Sequence, residues 1–144
     1  LARQSELPIL EMGTGLSTVV MAGASSQKVW SIEHDKLFAD ELERMVAQAG
    51  VSNVTLVTTE IKDGWYDLSG VKLPKQFGLA FVDGPPRTGT DRMRFFDAYG
   101  DRCKVILCDD ADDPGYAQKL TAWANSRKRE IKIDGRSAVI LPGV

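Results

Sequence analysis

The stretch Ile9–Ala22, ILEMGTGLSTVVMA, decides how this chain is read. An apolar run ends in Glu11, Gly13 and Gly15 follow, and a small-residue helical pattern begins at Leu16. A strand, a tight glycine turn and a helix in that order form the phosphate-cradling unit of dinucleotide-binding folds, where a third glycine seats the helix against the strand. Here Thr18 stands at the third position. Ser17 and Thr18 put hydroxyls where a pyrophosphate would rest, and hydroxyls there cap a helix start. The turn by itself does not name a ligand; the residues at the other strand ends must.

Working outward, Leu7–Met12 reads as a buried strand and Leu16–Ala24 as the helix after it. Lys28–Glu33 is a second strand, and Asp35 is placed to cap the next helix. In Lys36–Ala49, apolar residues recur at spacings of three and four, which marks an amphipathic helix that Gly50 ends. Asn53–Val57, Phe77–Val82 and Lys104–Cys108 are further strands, and Tyr116–Arg127 is a helix. Asp112 and Asp113 start that helix ahead of Pro114. Glu130–Ile133 and Ser137–Leu141 flank Asp134-Gly135, a hairpin signal. Near-continuous hydrophobic strands alternating with helices predict an α/β fold: a mostly parallel sheet, covered on both faces, with an antiparallel pair at its end. Between Glu60 and Gln76 lies a long loop carrying Trp65, Tyr66 and Asp67. These residues either flank a ligand or pack on the sheet edge.

With 144 residues, 43% of them hydrophobic and 26% charged, the chain suits one globular domain, residues 1–144. Its formal net charge of −2 gives no basic field for nucleic acid or an anionic membrane. No apolar run approaches the roughly 20 residues of a membrane span. Cys103 and Cys108 sit at an odd separation on one strand, so they do not pair, which suits a reducing, cytoplasmic setting. The chain starts at Leu1 just before the first strand, which reads as a fragment lacking its N-terminal segment. Nothing in the sequence sets an oligomeric state.

Acids recur at strand ends: Glu11, Glu33, Asp83, and Asp109 with Asp110. Ligands of open α/β sheets bind beyond the carboxyl ends of the strands, so these acids predict a site along that edge. Glu33 closes the second strand, where a carboxylate accepts the hydroxyls of an adenosine ribose. His34, the single histidine, is a ligand neighbour or a general base. Thr59 and Glu60, after the third strand, are placed near adenine or in an ordinary loop. Arg87, Arg92 and Arg94 follow Asp83 and either hold an anionic substrate or form a solvated helix face.

E-M-G-T-G, then S-I-E-H-D, then F-V-D-G-P-P together resemble a class I S-adenosylmethionine-dependent methyltransferase over about Ile9 to Leu141. The D-G-P-P stretch resembles small bacterial members of that superfamily. The resemblance implies a seven-stranded sheet in the order 3-2-1-4-5-7-6, with the cofactor held by Glu11, Gly13, Gly15, Ser17, Thr18, Glu33, His34 and Asp83. The strand-end acids are also similar to those of metal-dependent O-methyltransferases. That implies Mg²⁺ on Asp83, Asp109 and Asp110, three hard oxygen ligands, with Asp83 and Asp109 in the chemistry. Asp110 stands where an Asn is usual, and many relatives use the strand-four acid without metal. The expected activity is methylation of a small-molecule acceptor, on oxygen. The alternatives are a nicotinamide-dependent oxidoreductase, or a non-catalytic nucleotide-binding module on the same fold. A P-loop enzyme is excluded, because no G-K-[ST] follows the glycines.

Overall fold

A computed structural model describes residues 1–143. Strand β1 (Ile9–Met12) is buried along its whole length. It pairs in parallel with β2 (Val29–Glu33) on one side and β6 (Phe77–Val82) on the other. The strand β3 (Val54–Thr58) adds outside β2, and β7 (Cys103–Cys108) outside β6, both parallel. Strands β8 (Arg129–Asp134) and β9 (Ser137–Gly143) form the terminal hairpin, with β9 antiparallel to β7. The seven-stranded order is β3-β2-β1-β6-β7-β9-β8. Counting only these strands along the chain, it is the predicted 3-2-1-4-5-7-6.

The ends of the elements follow from local chemistry. Helix α1 (Leu16–Ala24) starts from Gly15, whose backbone N–H donates to Thr18 Oγ1 at 3.2 Å. Helix α2 (Lys36–Ala49) is capped by Asp35, which accepts from Leu37 N at 2.8 Å, and it stops at Gly50, at φ 67°. Helix α4 (Pro114–Ser126) is capped by Asp113, which accepts from Tyr116 N at 2.7 Å. Helix α3 (Met93–Tyr99) lies in a segment given no helix above, and it buries Phe95 and Phe96 completely. Burial of each such ring is worth about 1.5–3 kcal/mol.

The alternation of strand side chains sorts the two faces. Leu10 and Met12 point to the larger core with Phe95, Phe96, Leu120 and Trp123. Ile9 packs on the opposite face with Met21, Ala22, Val29 and Leu79. Glu11 shares the parity of Ile9, so it points toward α1, and its register partner is Ser31. Both cysteines are buried and free, and burial pushes each thiol up to about 12.

The long loop after β3 is not structureless. Ile61–Lys62 (β4) and Trp65–Tyr66 (β5) form a small hairpin around Asp63 and Gly64, at φ 52° and 80°. Positive φ at both central positions marks the tight turn that Asp-Gly favours. Trp65 and Tyr66 pack into the larger core rather than lying open. Among the described residues no helix is long and apolar enough to cross a membrane.

Candidate functional site

The carboxyl ends of β1, β2, β6 and β7 meet at one edge. There the ladder runs on into the loops: Gly13 N donates to Ile32 O (2.9 Å), Asp83 N to Met12 O (3.0 Å), and Asp109 N to Val82 O (3.1 Å). The turns after β1 and β6 are thus fixed side by side. Gly13 has φ 87°, and a Cβ on it would lie 3.2 Å from Gly84 N. A Cβ on Gly84 would lie 3.0 Å from Gly13 Cα and collide with Tyr66 Oη. Only glycines allow the two turns this approach.

The hydroxyls at the third-glycine position have a definite task. Glu11 is fully buried and accepts from Ser17 Oγ (2.5 Å), Ser31 Oγ (2.6 Å) and Thr18 Oγ1. Thr18 is also fully buried. The Glu11 carboxylate therefore welds β1, β2 and the first turn of α1 together. Burial pushes its pKa up, opposed by the Ser17, Ser31 and Thr18 hydrogen bonds. Of the residues expected to hold the cofactor, Glu11 and Thr18 face inward, away from the edge, and Ser17 is tied to Glu11.

Glu33 is 4% exposed, and its carboxylate is saturated. Oε1 accepts from the backbone N–H of His34 (2.8 Å) and Asp35 (2.9 Å). Oε2 accepts from Thr14 N (3.0 Å) and Thr14 Oγ1 (2.7 Å). Glu33 thereby ties the glycine turn to the end of β2. Beside it opens a cleft of about 160 Å³ lined by Thr14, Glu33, His34, Phe38, Tyr66, Asp83 and Pro86. His34 Nδ1 lies 3.0 Å from Glu33 Oε1 without hydrogen-bond alignment, and its ring meets Tyr66 edge-on at 6.3 Å.

On the far side of Asp83 the acids gather. Carboxylate oxygens of Asp83, Asp109 and Asp110 lie within 4.8 Å of one another. Partial desolvation, then the Asp109 carboxylate, push Asp83 up to about 6. Two arginines answer this charge. Arg92, with only 8% of its side chain exposed, donates to Pro85 O (2.9 Å), Asp83 O (3.0 Å) and Asp110 Oδ2 (3.0 Å). Arg136 bridges Asp110 Oδ1 (2.6 Å) and Asp109 Oδ2 (3.2 Å). Arg92 is therefore neither a solvated helix face nor an anion holder, the two roles the sequence offered it. It is the internal cation that holds the D-G-P-P turn against Asp110. Arg94 donates to Asp63 O, and Arg87 pairs with Asp113 at 2.6 Å. A wider cleft of about 230 Å³ opens beyond Arg92, between Arg87, Met93, Tyr116 and Lys119.

Two predictions arise here. Arg92→Ala leaves Asp110 and two carbonyls short of a buried donor, and it should cost about 2–4 kcal/mol in urea unfolding. Asp83→Asn should act on pH dependence. A carboxyl raised from 3.8 to about 6 makes the folded chain bind a proton that the unfolded chain releases. Its contribution is full below about pH 3.8 and is lost as pH rises through about 6. The variant should remove that share of the fall in stability, read by unfolding across this range.

Sequence reasoning missed Thr14, Phe38 and Pro86 as cleft residues and Arg136 as a partner of the acids, whereas Tyr66, expected to flank a ligand or pack on the sheet edge, both lines the cleft and packs into the core. Two signals were available. Asp63-Gly64 flanked by Ile61 and Trp65 is a hairpin signature. An antiparallel last strand must start beside the end of β7, as Cys108 opposite Ala138 shows, and that brings Arg136 to the acids.

Sheet order, glycine turn and terminal hairpin together make this the Rossmann-like fold of class I methyltransferases. Solved structures of methyltransferases share it. An O-methyltransferase of tomaymycin synthesis from Streptomyces achromogenes, in complex with SAM, superposes with a TM-score of 0.69 at 21% identity, over 98% of this chain and 75% of that one. A precorrin-6y C5,15-methyltransferase from Geobacter metallireducens gives a TM-score of 0.72 at 14% identity, over 95% and 79%. A methyltransferase-like protein from Silicibacter pomeroyi gives 0.71 at 21% identity, over 96% and 79%. No protein-family model and no curated protein matches the chain.

Proposed function

We propose that the chain is an S-adenosylmethionine-dependent methyltransferase that methylates an oxygen of a small-molecule acceptor. The observation that carries the reading is the cleft lined by Glu33 and Asp83, beside the close approach of Gly13 and Gly84, on a sheet of the methyltransferase order. The residues fit such a cofactor. Glu33 Oε2 accepts a hydroxyl, that of Thr14, where a ribose hydroxyl would be accepted in its place. Gly13 and Gly15 give the ligand a bare backbone floor. His34 and Phe38 flank the adenine side. Glu11, Ser17 and Thr18 serve by fixing the turn, without touching the ligand. A turn whose hydroxyls point inward offers little to a pyrophosphate, which argues against the nicotinamide alternative.

The cofactor supplies, when bound, a methyl group activated on a sulfonium sulfur. The protein's part is placement and proton transfer. Asp83 lines the cofactor cleft, and the wider cleft, lined by Arg92, would take a small acceptor on the other side of that arginine. With its pKa near 6, the Asp83 carboxylate can take the proton of an acceptor hydroxyl near neutrality. Asp109 keeps that pKa up by repulsion, and Arg92 fixes the Asp83 carbonyl. The near-neutral net charge agrees with a small acceptor rather than a nucleic acid.

One observation favours a metal-assisted variant: the three carboxylates offer hard oxygens at a spacing that suits Mg²⁺. A cation there would take the place that Arg136, 64% exposed, now holds on Asp109 and Asp110. The test is a thermal-shift series with S-adenosylmethionine, S-adenosylhomocysteine and NAD⁺, each in Mg²⁺ and in EDTA. Stabilisation by both S-adenosyl compounds and none by NAD⁺ is expected. Stabilisation by NAD⁺ alone would replace the reading with the oxidoreductase. A further shift in Mg²⁺ that vanishes in Asp109→Ala would place a cation on the acids.

A further inference from the structure

Tyr66, like His34 beside it, lines the cleft with a buried polar atom that has no hydrogen-bond partner. It is 3% exposed, and its hydroxyl is buried without a hydrogen-bond partner. Such an orphan is costly, because a buried donor forfeits the bonds it had in water. The fold nonetheless places it deliberately. The Asp63-Gly64 turn brings β5 back under the sheet edge, and Gly84 lacks the Cβ that would drive the Tyr66 hydroxyl away. The ring is held edge-on by Trp65 at 5.3 Å and by His34 at 6.3 Å. The side chain lines the same cleft as Glu33 and Asp83.

We propose that the Tyr66 hydroxyl donates a hydrogen bond to a ribose oxygen of the bound S-adenosyl ligand, so that Tyr66 is a ligand-binding residue that completes the Glu33 site. This rests on the methyltransferase reading above. The chemistry of the cleft selects the acceptor. Glu33 and Asp83 border it with two carboxyls, so a carboxylate of the ligand would meet like charge, whereas a neutral sugar oxygen would not. Burial and the Glu33 carboxylate hold the phenol well above its usual pKa, so Tyr66 stays a donor at all working pH values. The orphaned hydroxyl is thus carried at a cost in stability that ligand binding recovers.

Tyr66→Phe tests this, because it keeps the ring and removes only the hydroxyl. Wild type and variant are titrated by calorimetry with S-adenosylhomocysteine and with 5′-methylthioadenosine, which shares the ribose but lacks the amino-acid end. Their Tm values are measured without ligand. The expected result is about tenfold weaker binding of both ligands, with a Tm equal to or above that of wild type. Unchanged affinity would overturn the proposal. So would affinity and Tm falling together, which would mean that the hydroxyl only supports the fold. Weaker binding of S-adenosylhomocysteine alone would move the contact to the amino-acid end and overturn the ribose assignment. A wild-type chain that binds neither ligand would refute the methyltransferase reading itself, and the inference with it.

Discussion

Glu33→Ala should weaken S-adenosylhomocysteine binding by about 100-fold, which is about 2.7 kcal/mol. The size follows from what the carboxylate already does. A charged acceptor of two ribose hydroxyls would contribute about 1.5–3 kcal/mol per bond against an unmade one. However, Glu33 Oε2 accepts Thr14 Oγ1 at 2.7 Å in the fold itself, so one ribose bond would replace a bond that already exists. The net effect is therefore nearer one charged hydrogen bond plus the order of the turn. The same change strips the acceptor from the N–H groups of Thr14, His34 and Asp35, so Tm should fall as well. Calorimetry of the folded variant below its transition separates the two effects. Undiminished affinity would remove Glu33 from the site.

The largest effect on stability should come from Glu11→Ala. It leaves the Ser17, Thr18 and Ser31 hydroxyls without their acceptor in a fully buried place, and it opens a cavity there. Either fault costs about 1–3 kcal/mol, and together about 3–5 kcal/mol. For a chain of this length that is about 10–15 °C in Tm. Glu11→Gln keeps the volume and an acceptor, so it should cost far less, and it should also change the pH dependence. The raised pKa makes the folded chain hold a proton that the unfolded chain releases above about 4.5. Stability from this group is full below that pH and is lost as pH rises toward the folded value. Urea titrations should show Glu11→Gln lessening this loss. A Glu11→Ala chain with wild-type Tm would contradict the buried network.

Residue by residue, the strands were legible because hydrophobic period and turn chemistry are local, whereas their order was implied only by the methyltransferase resemblance. The runs ending at Met12, Glu33, Val82 and Cys108 are strands as read. Gly50, Asp35 and Asp113 end or start helices as their types dictate. The site was half legible. Strand-end position predicts that an acid lies near the edge, but not which way it points. Glu33 and Asp83 border the cleft, whereas Glu11 turns inward. Its inward turn depends on Ser31 lying opposite in register and on Ser17 and Thr18 starting the helix, a convergence of four residues from three elements. Arg92 was misread for a similar reason. An arginine beside Asp91 and close to Arg94 looks solvated in sequence, and only the return of the D-G-P-P turn over it buries the guanidinium. Tyr66 is legible as a residue that flanks a ligand or packs on the edge, but its ring has no defined direction until the Asp63-Gly64 hairpin pairs β4 with β5.

The central claim is that the edge between Glu33 and Asp83 binds an S-adenosyl ligand. A calorimetric titration of the wild-type chain with S-adenosylhomocysteine tests it most directly. Saturable one-to-one binding in the micromolar range, about −8 kcal/mol, is the predicted result. An absence of heat up to millimolar ligand, with NAD⁺ binding under the same conditions, would contradict it.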